Sequence, residues 1–204
     1  SIGMIGYMIE QELANVLPSA TRLATLLTHI EVARDDPAFG RPEKPIGPVY
    51  DAREAQNTRT AHGWPMVEEA PGRWRRVVAS PLPQRIVQIE VIRMLVSAKV
   101  VTICAGGGGI PVVRDPSGTL QGVEAVIDKD RAAGLLAADL AAAAFLMLTD
   151  VDAVYLDWGT PQQRPVRRAR PGELAVYQFP PGSMGPKVEA ACQFANAPGR
   201  VAGI

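Results

Sequence analysis

The sequence of 204 residues holds two cysteines, Cys104 and Cys192, and two histidines, His29 and His62. So few soft ligands exclude a disulfide-rich scaffold and a zinc site built from cysteine and histidine. The chain also lacks an apolar run long enough to span a membrane and a basic-then-apolar leader. We therefore expect a cytoplasmic protein that has no membrane partner.

An excess of charge of either sign is absent as well. Lysine plus arginine and aspartate plus glutamate number 21 each, so no overall field favours nucleic acid as a partner. Aromatic residues are few, but a hydrophobic fraction of 47% predicts a folded chain with a core. The motifs GxxxxGK[ST], GxGxxG, GxSxG and HExxH do not occur, so P-loop, Rossmann, serine-hydrolase and zincin functions have no support.

An alternation of helices and strands is present after Pro83. The apolar pattern predicts a helix over residues 86–96 followed by a buried strand at 100–104, then a helix at 131–143 followed by a buried strand at 145–148. Helix followed by strand, twice over, predicts an α/β fold with a mostly parallel sheet and helices on both faces.

The first 76 residues differ in texture. Ile5, Ile9 and Leu13 recur every four residues and predict an amphipathic helix over residues 2–17, whose uncovered apolar face favours association. Residues 25–32 are β-rich and predict one short strand. Residues 39–76 are interrupted by prolines and glycines and predict a projecting loop or hairpin. Such insertions are more often functional lids, with disorder as the alternative.

Four consecutive glycines, Gly106, Gly107, Gly108 and Gly109, follow the predicted strand at 100–104. Glycine permits positive φ and lets backbone N–H groups approach an anion, so these residues form a candidate nest for phosphate or carboxylate. The alternative is a tight passage from strand to loop.

Two lysines stand at predicted helix starts. Lys129 lies between Asp128, a candidate N-cap, and Asp130, and is suited to contact a phosphoryl oxygen; a solvated helix start is the alternative. Lys187 follows Pro186, the expected first helical residue, where a cation opposes the helix dipole unless an anion joins it. The alternative for Lys187 is an ordinary surface lysine.

Other chemical features are weaker. Asp150 and Asp152 follow the strand at 145–148 and are typical of either a magnesium site or a simple turn, and the turn is favoured. Arginines cluster near residues 164–170, where a solvated surface is expected. Cys104 lies on an apolar strand and is expected in the core rather than as a nucleophile.

Taken together, seven segments resemble the carbamate kinases of the amino acid kinase superfamily. They occur in the order found in that family and run along nearly the whole chain. The matching segments are residues 3–7, 44–48, 74–78, 106–111, 122–130, 149–155 and 182–188.

The resemblance implies a three-layer α/β/α sandwich, with residues 1–204 as part of an amino acid kinase domain and 39–76 as a protruding lid subdomain. It implies reversible phosphoryl transfer between ATP and carbamate, giving carbamoyl phosphate and ADP, as in the ATP-forming step of arginine fermentation. It further implies a homodimer, and Mg²⁺ that arrives with the nucleotide rather than at a protein metal site.

The resemblance also implies roles for individual residues. Lys129 and Lys187 would straddle the transferred phosphoryl group, Asp130 would orient the lysines, and Lys44 would close over carbamoyl phosphate. The residues implied to contact the nucleotide are Gly106, Gly107, Gly108, Gly109, Asp150, Asp152, Tyr155 and Met184.

Chains of this family carry roughly another third before the counterpart of Ser1, with a Gly-Gly-Asn stretch and a Gly-Asn-Gly-Pro loop that this sequence lacks. We therefore expect these 204 residues alone to associate and to show no measurable activity. A non-catalytic nucleotide-binding fragment of the family is one alternative. A related amino acid or nucleotide kinase is another, against which the segment 44–47 argues.

Overall fold

The computed structural model describes residues 2–180 and 182–204, which form a mixed α/β fold. The helices are α1 (Ile2–Val16), α2 (Ala52–His62), α3 (Ile89–Ser97), α4 (Lys129–Asp139), α5 (Pro171–Leu174) and α6 (Met184–Ala195). The strands are β1 (Leu23–Thr25), β2 (His29–Val32), β3 (Lys44–Tyr50), β4 (Met66–Ala70), β5 (Arg73–Val78), β6 (Pro83–Ile86), β7 (Val101–Ile103), β8 (Ile110–Arg114), β9 (Leu120–Gly122), β10 (Ala144–Leu146), β11 (Val154–Leu156), β12 (Arg164–Val166) and β13 (Val201–Gly203).

Parallel pairing relates distant parts of the chain. Strands β1 and β7, β2 and β8, and β10 and β13 pair in parallel, and β2 and β8 lie at the centre of a sheet ordered β6-β2-β8-β9. Helix α1 contacts β1, α3 contacts β7, and α4 and α6 contact β10 and β13 respectively. The α/β class expected from the alternation of helices and strands is confirmed. No helix among the described residues is both long and apolar enough to cross a membrane.

Two apolar clusters hold the start of α4 in place. Ile30, Ile92 and Ile127 are fully buried in the first cluster, and Ile127 immediately precedes the N-cap of α4. The second cluster packs α4 and α6 against β10, with the rings of Phe145 and Phe194 edge to face at 5.7 Å. Because α4 contacts both clusters, the position of its N-terminus is fixed by the core.

The segment at 39–76 contains the expected hairpin, β4–β5, and also a helix that was not predicted. Strands β3, β5 and β4 form an antiparallel sheet, and α2 connects β3 to β4. Only Ala55 of α2 is buried, so the helix shows no apolar periodicity. A usable signal was the capping box of Asp51 and Glu54, whose side chains each accept a hydrogen bond from the other residue's N–H.

Several predicted boundaries are wrong. The helix predicted at 131–143 spans Lys129–Asp139. Residues 25–32 are divided between β1 and β2, which lie in different sheets. Between them, the Oγ1 of Thr28 accepts a hydrogen bond from the Ala105 N–H at 2.9 Å. The predicted helix at 86–96 begins later, because residues 83–86 pair with β2 as strand β6. The apolar pattern did not separate these states, since short apolar runs suit both helices and strands.

The strands predicted as buried are partly exposed. The strand predicted at 145–148 ends at Leu146, and Leu148 is 96% exposed. Val101 of β7 also faces solvent. The prediction assumed a parallel sheet that is covered by helices on both faces. Among the described residues, β7 and β10 each have one hydrogen-bonded neighbour.

Helix α1 packs on β1 through its small residues. A Cβ at Gly6 would lie 2.6 Å from Cγ2 of Thr25, so the helix approaches the strand more closely than a larger residue allows. The apolar face of α1, including Met4, Ile5 and Met8, is exposed, as the sequence predicted.

Candidate active site

The start of α4 carries the first group of site residues. Asp128 is the N-cap, and its Oδ1 accepts hydrogen bonds from the N–H groups of Asp130 at 3.0 Å and Arg131 at 3.3 Å. These bonds satisfy backbone donors that the helix itself leaves free. The first turn then holds Lys129 with its side chain largely exposed and Asp130 with its carboxylate buried.

Helix α6 brings the second lysine to the same place. The Nζ of Lys187 donates to Oδ2 of Asp130 at 2.9 Å, and the Nζ of Lys129 lies 3.6 Å from the same oxygen. The structure thus brings together three of the predicted site residues at two helix N-termini. Ammonium groups and helix N-termini both favour an anion.

Helix α6 begins at Met184, two residues before the predicted first position at Pro186. The N–H of Gly185 donates to the carbonyl oxygen of Pro180 at 2.9 Å, and a Cβ at Gly185 would lie the same distance from that oxygen. This close approach turns the chain into the helix earlier than the proline indicated. Lys187 still lies near the N-terminus of α6, where a cation opposes the dipole.

Lys44 reaches this group from strand β3. Its Nζ donates to Oδ2 of Asp128 at 3.1 Å, although the two residues are 84 positions apart. Burial favours the neutral form of the Asp128 carboxyl, but the hydrogen bond and charge of Lys44 and the two helix N–H groups outweigh it and lower the pKa. Asp128 is therefore a carboxylate at neutral pH.

A cavity of about 480 Å³ opens beside the two lysines of α4 and α6. Its size falls within the range of small-ligand sites. The described residues that line it are Lys129, Leu148, Thr149, Asp150, Val151, Ala153, Tyr155, Trp158, Phe179, Pro180, Gly182, Ser183, Met184 and Lys187. One end is thus cationic, and the walls are mostly apolar and aromatic but include the carboxylate of Asp150.

Three of the predicted nucleotide residues, Asp150, Tyr155 and Met184, line this cavity. Asp152 is not among the described lining residues and instead accepts a hydrogen bond from the Tyr155 hydroxyl at 3.0 Å. That bond raises the pKa of Tyr155, because it stabilises the protonated phenol beside a carboxylate. Asp152 therefore contacts the cavity wall rather than the cavity.

The four glycines lie beside the start of α4. None of them is among the described residues that line the cavity. A Cβ at Gly108 would lie 2.1 Å from the carbonyl oxygen of Ile127, and Gly109, at φ +79°, packs on Ile30. Close packing therefore accounts for Gly108 and Gly109. Anion binding by Gly106 to Gly109 stays a prediction.

Two aromatic residues of the cavity were missed by the sequence reasoning. Trp158 packs edge to face on Tyr155 at 5.2 Å between ring centroids, and Phe179 lies on the cavity wall. Both occur in irregular segments, where apolar periodicity carries no information. The available signal was a tryptophan directly before the turn-forming residues Gly159 to Pro161, outside any apolar pattern.

The weaker candidates have structural roles. Burial raises the pKa of the Cys104 thiol, which disfavours the nucleophilic thiolate. The Nδ1 of His29 forms a hydrogen bond with Nε2 of Gln88 at 2.9 Å. Arg164 belongs to β12 and donates to the Tyr177 hydroxyl at 3.2 Å.

The described residues contain no group of three or more His, Cys, Asp or Glu side chains placed to hold a metal ion. Mg²⁺ commonly takes one or two carboxylates together with substrate phosphates and water. Asp150, on the cavity wall, supplies a carboxylate of that kind.

Comparison with known proteins places the chain in a family. The model of the amino acid kinase family matches residues 40–202, and the chain belongs to that family. Within it, the chain is 52% identical to the carbamate kinase of Rhizobium meliloti (strain 1021) over 204 residues, covering 99% of this chain and 63% of the relative. It is 48% identical to the carbamate kinase of Haemophilus influenzae, covering 99% of this chain and 65% of that relative.

Among solved structures, the carbamate kinase of Giardia lamblia bound to AMP-PNP superposes with a TM-score of 0.86 at 37% identity, over 98% of this chain and 66% of that one. The resemblance to carbamate kinases inferred from the seven segments is confirmed, and with it the fold class. The chain spans about two thirds of the length of these relatives.

Proposed function

We propose that the protein transfers a phosphoryl group reversibly between ATP and carbamate, giving ADP and carbamoyl phosphate. The observation that carries this proposal is the contact of Lys187 and Lys129 with one buried carboxylate, Asp130, at the cationic end of the cavity. The similarity to carbamate kinases over almost the entire chain supports it.

The chemistry of this site is positioning and charge neutralisation. Phosphoryl transfer spreads negative charge over the equatorial oxygens of the moving group, and fixed cations stabilise that charge. Lys129 and Lys187 approach the group from two helices, and Asp130 holds their ammonium groups in place before the substrate arrives. No side chain needs to form a covalent intermediate.

The cavity is suited to the nucleotide. Its aromatic side chains, Tyr155, Trp158 and Phe179, offer surfaces for a planar base, while the lysines lie where phosphates would end. A Mg²⁺ ion carried by the phosphates would neutralise further charge, and Asp150 would be available to it as a carboxylate ligand. The glycines Gly106 to Gly109 are proposed to contact the nucleotide through their backbone N–H groups.

The segment at 39–76 is proposed to act as a lid that carries Lys44 to the acceptor substrate. Lys44 is the first residue of β3, at the base of this segment, and its ammonium group lies at the N-cap of α4. Closure of such a lid would exclude water from the transferred group and complete the set of cations.

A coupled assay of ATP formation from carbamoyl phosphate and MgADP tests the proposal. It is run on the protein as its gene encodes it, on residues 1–204 alone, and on the Rhizobium meliloti carbamate kinase as the positive control. We expect ATP formation by the gene-encoded protein that depends on both substrates. A folded protein that binds ADP but forms no ATP would contradict the proposal.

A second function, nucleotide binding without phosphoryl transfer, is favoured by one observation. The Gly-Gly-Asn and Gly-Asn-Gly-Pro stretches that the resemblance implies do not occur in these 204 residues. In that case calorimetry would detect ADP binding, and the coupled assay would give no ATP with the gene-encoded protein. The same assay therefore distinguishes the two functions.

The proposal extends to assembly and location. The exposed apolar face of α1, with Met4, Tyr7 and Met8, supports a homodimer. Sedimentation of the protein and of a Met8→Asp variant tests this, and the variant is expected to be monomeric. We place the activity in the cytoplasm, where ATP and ADP are available, and propose the ATP-forming step of arginine fermentation as its role.

A further inference from the structure

The carboxylate of Asp128 has more contacts than a helix cap needs. Capping requires only an oxygen that accepts from the first-turn N–H groups, and asparagine, serine or threonine supply one equally well. Asp128 meets this requirement with Oδ1, while Oδ2 accepts from Lys44 at 3.1 Å. Among the described residues, Lys44 is the only ion-pair partner of Asp128.

The backbone places Lys44 at this position. In the sheet, Lys44 pairs with Val78, which is buried. The next residue, Ala79, forms a parallel bridge with Ala125 and accepts a hydrogen bond from the N–H of Val126 at 2.9 Å. The base of the 39–76 segment is therefore joined to the stretch of chain that leads directly into Asp128.

A second ion pair joins the same two parts of the chain but differs in its surroundings. Arg76 of β5 contacts Glu124, whose side chain is 74% exposed, whereas the side chain of Asp128 is 9% exposed. Exposed pairs contribute little stability, and a buried carboxylate loses its hydration unless its partner is well placed. The buried pair of Lys44 and Asp128, which we call the inner pair, is therefore stable only when Lys44 has a defined position. The exposed pair of Arg76 and Glu124, the outer pair, does not restrict Arg76 in this way.

We propose that Asp128 is a positioning residue for Lys44, holding its ammonium group beside those of Lys129 and Lys187 when the 39–76 segment lies against α4. This inference rests on the proposed function. Three ammonium groups and two carboxylates then converge at one helix start, leaving a net charge of plus one to receive an anionic substrate. Preorganised charges of this kind need no rearrangement during the reaction.

The test uses Asp128→Asn, which keeps the cap and the size of the side chain but removes the charge. Glu124→Gln is the matched control, since it removes the outer ion pair and leaves Asp128 intact. A pulse of acetic anhydride acylates free amines, and peptide mass spectrometry gives the rate at each lysine. Lys99, exposed in the turn after α3, is the internal reference.

We expect Asp128→Asn to raise the rate at Lys44 at least threefold relative to Lys99, because the ammonium group loses its partner. Glu124→Gln should leave this ratio unchanged, and the melting temperature of Asp128→Asn should stay closer to that of the parent than Asp128→Ala, which also loses the cap. Equal rates at Lys44 in the parent and in Asp128→Asn would overturn the proposal.

Phosphonoacetamide, a stable isostere of carbamoyl phosphate, supplies the second measurement. It should protect Lys44 in the parent, and Asp128→Asn should need at least tenfold more of it for half protection. Unchanged half protection would mean that the pair is only a structural link, and would overturn the positioning role. If phosphonoacetamide protects none of Lys44, Lys129 and Lys187 in the parent, the proposed function is contradicted. The comparison of acylation rates at Lys44 in the parent and in Asp128→Asn would then test the positioning role alone.

Discussion

Lys187 and Asp130, 57 positions apart in the chain, meet at 2.9 Å between Nζ and Oδ2 and so join the first turns of two helices. Both side chains are largely buried, with 12% and 9% of their surfaces exposed. A buried ammonium group at a helix N-terminus is unfavourable by itself, and Asp130 offsets that cost. The pair therefore holds the ammonium group of Lys187 in a defined position where the cavity ends.

Replacing Lys187 with alanine is expected to weaken MgADP binding by about 1.5–3 kcal/mol, or roughly 10- to 150-fold in Kd, because a charge-assisted contact to phosphate is lost. Isothermal titration calorimetry measures this. Arg53→Ala, at an exposed position of α2, controls for the loss of one positive charge. Unchanged ADP affinity in Lys187→Ala would show that Lys187 is wrongly placed.

Replacing Lys129 with alanine is expected to reduce turnover far more than ADP affinity. Its side chain is 66% exposed and its Nζ lies 3.6 Å from Oδ2 of Asp130, so its charge is held where it acts mostly on the transferred phosphoryl group. A fall in kcat of about 100-fold or more, with a Kd for ADP within about threefold, is the expected pattern. Equal losses in kcat and in ADP affinity would mean that Lys129 only holds the nucleotide.

The lowered pKa of Asp128 predicts a particular dependence of stability on pH. The unfolded carboxyl titrates near pH 4, and the folded one lower, so its contribution is complete above about pH 5 and disappears as the pH falls through the folded pKa. Urea unfolding from pH 7 to pH 3 should therefore give a steeper loss of stability for the parent than for Asp128→Asn. If the free energy of unfolding falls equally with pH in the two proteins, the lowered pKa of Asp128 is contradicted.

The 39–76 segment is expected to exchange its amide hydrogens faster than the central strands. Helix α2 buries only Ala55, and β4 buries only Met66, so local opening exposes little apolar surface. Hydrogen exchange followed by mass spectrometry compares this segment with β2 and β8. Protection as strong as that of Ile30 would rule out a mobile lid.

Much of the site was predictable because its chemistry is local in sequence. Asp128, Lys129 and Asp130 are consecutive, and a polar cluster before an alanine-rich helix indicates a cap without tertiary information. The contacts that Lys44 and Lys187 make with this cluster were not readable from spacing, since partners 84 and 57 positions apart are brought together only by the fold. The resemblance to carbamate kinases implied that Asp130 orients Lys187, but it did not indicate the contact of Lys44 with Asp128.

The fold was less predictable where the burial of residues does not follow the apolar pattern of the sequence. Leu146 and Leu148 have the composition of a buried strand, yet both are exposed. Helix α2 has almost no apolar face, so its sequence shows no apolar periodicity. The capping box was the only sequence feature that indicated the helix. In both places the neighbours in space, rather than the residues themselves, decide the outcome.

The most direct measurement is ATP formation from carbamoyl phosphate and MgADP by the gene-encoded protein and by its Asp130→Asn variant. Asparagine keeps the size of the side chain but removes the charge that holds Lys187 and Lys129. The parent is predicted to form ATP, and the variant to do so at least about 100-fold more slowly, while remaining folded by circular dichroism. Equal rates in the two proteins would contradict the account, because a site organised by Asp130 cannot lose that charge without loss of rate.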